Sequence, residues 1–209
     1  MMKITRIIPC AVLALAVAVQ VADAETLLGK NYIGGSFGII QFGNDFLDDV
    51  FGTGKGVQGS GNIVLHEHVD LNLTGGYLWA DGDFLGLDAD VSVFSGGAYL
   101  VYHFLPGEKI NPFLNVGAGA VRTEIEVAGF EEHETDASFD VGGGVEIEAT
   151  EAVLFRGSVD YTTIDNDDDV TLSATLGYWF TEQLLGGAGF SYTIDGEDIT
   201  GDISLTFTM

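Results

Sequence analysis

Cysteine is nearly absent. The single one, Cys10, lies at the start of the N-terminal apolar stretch, so the remainder of the 209 residues offers no disulfide, thiol nucleophile or zinc–thiolate site. Basic residues are almost as scarce: 7 Lys and Arg stand against 32 Asp and Glu, a formal net charge of −25. That balance excludes nucleic acid as a partner, because neutralising phosphates takes a basic face. After residue 24 there is no helical repeat, no linker and no low-complexity stretch. Such acidity combined with few apolar residues would imply disorder. Here the hydrophobic fraction is 46%, and 30 glycines accompany only 3 prolines, a composition that points to a glycine-rich β architecture.

At the N-terminus, Lys3 and Arg6 precede an apolar run from Ile7 to Val21, and Ala22-Asp23-Ala24 forms an A-x-A cleavage site before Glu25. Residues 1–24 therefore read as a secretory signal and residues 25–209 as one exported domain. The run is a poor anchor, since spanning a bilayer takes about 20 apolar residues and this one holds Pro9 and Gln20. Cys10 follows Pro9 where no cleavage would expose it for lipidation.

From residue 31 onward apolar residues recur at every second position, in segments of about ten. In the last segment Ile199, Gly201, Ile203, Leu205, Phe207 and Met209 share one face, with Thr200, Asp202, Ser204, Thr206 and Thr208 on the other. A soluble sandwich also alternates, but its solvent face carries long charged or β-branched polar residues. Here the polar face is mostly Gly, Ser, Thr and Asn, as a narrow barrel interior requires. Aromatic residues collect at the segment ends: Tyr77, Trp79, Tyr161 and Tyr192 at one level, and Tyr102, Phe104, Tyr178, Phe180 and Phe207 at the other. Two girdles imply two membrane interfaces. The spacing predicts strands over 31–42, 57–66, 69–80, 89–104, 112–126, 137–148, 152–164, 169–180, 184–194 and 199–209. The fold class is all-β, a closed antiparallel up-and-down transmembrane barrel of ten strands. Eight strands with an irregular N-terminal segment is the alternative, because Gln58 to Leu65 alternates poorly.

The strand-turn-strand from Tyr99 to Gly119, the stretch from Leu154 to Tyr161 and the amphipathic last strand resemble the small outer-membrane β-barrel families grouped around OmpA-like and OmpX-like domains. The resemblance implies residence in a Gram-negative outer membrane among its lipid and lipopolysaccharide, as a monomer. It also implies handling by the outer-membrane assembly machinery through the last strand, whose final aromatic is Phe207, followed by Thr208 and Met209.

Alternation assigns Asp140, Glu146, Glu148, Arg156 and Asp160 to the lumen, with Arg156 the only cation there and Glu146 its expected partner in an ion-pair network. The same carboxylates suit a narrow, cation-preferring pore. Tyr99 is expected to pack over Gly117. The segments between strands carry most of the acid. Asp165, Asp167 and Asp169 have the spacing of the first half of a calcium loop, but Val170 stands where glycine belongs and no glutamate completes it, so an EF-hand is excluded. A looser Ca²⁺ or Mg²⁺ site among the acidic loops, bridging to lipopolysaccharide phosphates, and a merely solvated rim both remain open. No cofactor is otherwise expected. Asp81-Gly82-Asp83 and Glu132-His133 carry no matching frame of an outer-membrane protease, and no histidine is followed by the serine of a lipid-modifying enzyme. The expectation is a non-enzymatic barrel with a structural or surface-interacting role, a narrow pore being the alternative.

Overall fold

The alternating segments form ten strands in the computed structural model, which describes residues 28–43, 45–84, 86–165, 167–194 and 196–209. The predicted signal lies outside these residues. The strands are β1 (Tyr32–Gln41), β2 (Thr53–His66), β3 (Val69–Phe84), β4 (Leu87–His103), β5 (Ile110–Val127), β6 (Phe130–Thr150), β7 (Val153–Ile164), β8 (Asp167–Trp179), β9 (Leu184–Thr193) and β10 (Ile199–Thr208). Each pairs antiparallel with its sequence neighbours, and β1 pairs with β10 to close the ring. Closure leaves no unpaired edge, the condition for a sheet to cross a membrane. The ten-strand reading holds, and β2 is a full member. Its alternation is obscured because two outward positions, Gly59 and Gly61, carry no side chain.

Period two sorts the side chains throughout. Ile33, Phe37, Leu100, Leu114, Val116, Phe139, Val159, Leu176, Phe190, Ile203 and Leu205 all face outward and are exposed, an apolar coat that would be untenable in water. The aromatic girdle residues lie on this outer face. Tyr77 stacks on Trp79 with ring centroids 5.5 Å apart, Tyr102 meets Phe104 at 5.2 Å, and Tyr178 meets Phe180 at 5.4 Å. The buried residues line the interior.

Two features depart from the sequence expectation. A short helix, α1 (Asp45–Phe51), occupies the β1–β2 connection, where no helix was predicted because seven residues are too few to display a helical repeat. The second departure concerns the acidic segments after β3 and β5, expected as loops. They are strand: β3 to β6 run 16, 17, 18 and 21 residues against 10 for β1, β9 and β10. These four strands stand above the rest of the barrel as a ridge. The β5–β6 hairpin turns on Ala128 and Gly129 alone, both with positive φ (53° and 81°), the backbone of a tight two-residue hairpin turn. Charged residues mask the extension in sequence because its outward face meets water instead of lipid.

Candidate functional site

The interior is filled at both ends and polar between them. At the inner end, where both ends of the described chain lie, Tyr32, Leu154 and Leu185 form a buried cluster against Trp179. The preceding segment folds across this mouth. Leu28 N–H donates to Glu146 Oε2 at 3.2 Å and Gly29 N–H to Asp70 Oδ2 at 3.0 Å. Asn62 donates to the Lys30 carbonyl, and the Lys30 ammonium stands 5.0 Å from the Trp179 ring centroid. Asp70, wholly buried, also accepts from Asn62 Nδ2 at 2.8 Å and faces His103 Nε2 at 3.1 Å.

Sequence reasoning missed this Asp70–Asn62–His103 centre. The available signal was parity: Asp70 and His103 both fall on the inward register of their strands. Lys30 was missed as a second cation because it precedes β1.

Of the predicted lumenal network, Glu146 and Arg156 stand directly opposite in the β6–β7 ladder. The Arg156 guanidinium also lies 4.4 Å from the centroid of the Phe113 ring. Glu148 is not part of the interior. It is exposed at the inner rim beside a register shift, the bulge that turns β6 into β7. Asp140 and Asp160 sit further in. Thr162 Oγ1 donates to Asp140 at 2.6 Å, and Asn115 Nδ2 and Ser158 Oγ donate to Asp160 at 3.0 and 2.8 Å. Asn115 reaches Asp160 across Gly142, whose missing side chain leaves the path open. Tyr99 packs over Gly117, its ladder partner, so closely that no Cβ would fit there.

The outer end is closed by apolar packing on one side. Ile40, Phe42, Leu78, Ala80, Val91, Val93 and Val121 all point inward and are almost fully buried, with Ile40 and Phe42 against the bare backbone of Gly54. Helix α1 lies on Gly82, and the β9–β10 turn lies on Gly43, whose N–H donates to Asp198 Oδ1 at 2.8 Å.

Burial pushes Asp198 up to about 6; nearby Asp169 adds to the rise, and the Gly43 hydrogen bond opposes it. A carboxyl that holds its proton more tightly when folded contributes stability below its unfolded value of about 4, and that contribution is lost as pH rises through the folded value. Closure at Gly43 is therefore expected to weaken between about pH 4 and about pH 6, and Asp198→Asn to flatten that decline. Exchange protection of the Gly43 amide, corrected for its intrinsic rate, measures both.

The predicted calcium-like triplet does not gather. Asp169 is buried on the inward face while Asp165 is exposed at a turn, and among the described residues no three His, Cys, Asp or Glu side chains come together at metal-binding spacing. The ridge carries a different acidic arrangement. Asp81, Asp90, Glu126 and Glu131 are successive ladder partners on β3, β4, β5 and β6, all outward and exposed. They line, with Tyr77, Trp79 and Glu124, a shallow cavity of about 270 Å³ directly above the aromatic girdle. Glu124 is paired with Arg122. Phe130, at the ridge's tip, is 82% exposed.

The translocator domain of the autotransporter NalP from Neisseria meningitidis has a similar fold, with 9% identity and TM-score 0.55, over 98% of this chain and 97% of that one. The transport unit of the autotransporter AIDA-I from Escherichia coli is alike at 10% identity and TM-score 0.55, covering 96% and 97%. Neisserial surface protein A matches at 14% identity and TM-score 0.42, covering 86% and 96%. No curated protein matches the sequence. The family model described as outer membrane protein beta-barrel domain matches residues 10–180. With a closed ten-strand barrel coated in apolar side chains, this chain belongs to the outer membrane protein beta-barrel domain family, and its place is the outer membrane.

Proposed function

We propose that this protein is a non-enzymatic, non-conducting barrel that acts at the cell surface, where its acidic ridge engages lipopolysaccharide through divalent cations. The observation that carries this reading is the row Asp81, Asp90, Glu126 and Glu131 on four adjacent strands. Like charges directly opposite one another destabilise a sheet, and cations shared between single carboxylates of the row and lipid phosphates relieve that repulsion. Carboxylate oxygens suit hard cations such as Ca²⁺ and Mg²⁺. The row's height fits the same partner: it begins two residues beyond Trp79 on the same face, where a membrane's apolar layer gives way to lipid phosphates. Filling of both barrel mouths supports a role outside the lumen.

The test is the thermal midpoint of the refolded protein in lipopolysaccharide-containing and in phosphatidylcholine vesicles, with and without millimolar Ca²⁺. The expected result is stabilisation by Ca²⁺ that is larger with lipopolysaccharide and is lost when Asp90→Asn and Glu126→Gln are combined. An equal Ca²⁺ response in both vesicles and in the variant would sink the reading.

A further inference from the structure

We propose that the segment Leu28–Lys30 is a releasable latch that covers the polar side of the inner mouth, beside the Tyr32, Leu154 and Leu185 cluster, and closes the lumen to the periplasm there. It shares with the proposed function only the closed lumen, and it concerns the opposite end of the barrel.

Three independent observations support it. First, Leu28, Gly29 and Lys30 are held by side chains of the barrel wall, whereas Asn31 already belongs to the rim, its carbonyl accepting the Met209 N–H at 3.0 Å and its side-chain oxygen the Val64 N–H at 2.8 Å. Asp70 on β3 accepts the Gly29 N–H, Glu146 on β6 accepts the Leu28 N–H, and Asn62 on β2 donates to the Lys30 carbonyl. Trp179 on β8 receives the Lys30 ammonium over its ring. The clamps come from β2, β3, β6 and β8, so the segment reaches points on widely separated parts of the ring.

Second, Gly29 has φ +81°, the left-handed backbone that favours glycine, and a Cβ there would meet nothing within 4 Å. Glycine is needed at this position for the turn that folds the segment over the mouth, not for space. Third, the anchors are prepared in advance. Asp70 is also met by Asn62 Nδ2 and His103 Nε2, contacts that do not involve the segment and that fix its carboxylate as an acceptor.

Few contacts and an exposed hinge make the segment the least expensive part of the inner closure to displace. Further along the lumen stand the polar side chains of Asp140, Asp160, Asn115 and Ser158. Release uncovers the polar side of the mouth at Asp70 and Glu146, beside the Tyr32, Leu154 and Leu185 cluster, and admits water and small periplasmic solutes along that side without passing them outward, since the Ile40, Phe42 and Val93 packing at the other end is untouched.

The absence of cysteine after Cys10 makes a clean test available. Thr206 and Thr200 both face inward on β10, near its inner and outer ends, and both are buried. Each is replaced singly by cysteine in the refolded, vesicle-inserted protein, and labelling by a small water-soluble thiol reagent is timed. Gly29→Pro, which removes the N–H given to Asp70 and cannot adopt the hinge conformation, is expected to speed labelling at Thr206→Cys at least about tenfold. Labelling at Thr200→Cys stays unchanged. Asp70→Asn, which keeps the packing and weakens the clamp, is expected to give a smaller increase at Thr206→Cys alone. An unchanged rate at Thr206→Cys in Gly29→Pro overturns the latch, and so does an equal increase at both positions, which would report general loosening. A failed lipopolysaccharide response would leave this labelling difference intact, so the two proposals fail separately.

Discussion

Gly144→Ala is expected to prevent folding or to destabilise the barrel by about 3 kcal/mol, at the upper end of what overpacking costs. Gly142, Gly143 and Gly144 form a run on β6 at which every added Cβ collides with a neighbour. At Gly142 the nearest obstacle is the Asp160 carboxylate, which can rotate, with the Val159 carbonyl oxygen next at 2.9 Å. At Gly144 it is the Gly157 carbonyl oxygen together with the Phe113 ring. A backbone oxygen cannot retreat without opening the β6–β7 ladder, and Phe113 is buried beneath Arg156. Glycines of this kind let a sheet bend sharply enough to close. Gly59→Ala is the control, because a Cβ there would find its nearest atom at 4.0 Å. Urea unfolding in lipid vesicles, read by tryptophan fluorescence, should leave Gly59→Ala within about 1 kcal/mol of the parent. Equal behaviour of the two variants would show that the bend is not set at Gly144.

Asp70→Ala is expected to be the second severe change, at about 3–5 kcal/mol, the range for breaking a buried pair and leaving its partners behind. Removing the carboxylate strands Asn62 Nδ2, His103 and the Gly29 N–H at once. Asp70→Asn should recover most of the loss, because an amide oxygen can still accept. Combining Asp70→Ala with His103→Leu should cost less than the sum of the two single changes, since an apolar replacement of both partners leaves fewer orphaned groups. Strict additivity of the double variant would mean that the two side chains are energetically independent.

Much of this architecture was legible in the sequence because the barrel's physics is periodic. Ile199 to Met209 announces its two faces by alternation alone, and Tyr99 over Gly117 and Glu146 opposite Arg156 followed once the hairpins were placed. What stayed hidden lacks a period. Helix α1 is too short to show one, and beyond Asp81 the outward face of the ridge strands meets water and carries charge, so these residues read as loop. The inner closure was hidden for another reason. Leu28 to Asn31 carries no pattern of its own, and its partners Asp70 and Glu146 lie 41 and 118 residues away. The carboxylate row needed register: Asp81, Asp90, Glu126 and Glu131 look scattered until the ladders align them.

The most direct test of the closed barrel is planar-bilayer conductance of the refolded chain from Glu25 to Met209 under a salt gradient. With Tyr32, Leu154, Leu185 and Trp179 filling one mouth, and Ile40, Phe42, Val93 and Val121 packed at the other, the bilayer should remain silent even though insertion is complete. Reproducible cation-selective steps that disappear on Asp140→Asn with Asp160→Asn would contradict the account and make the lumenal carboxylates the lining of a pore.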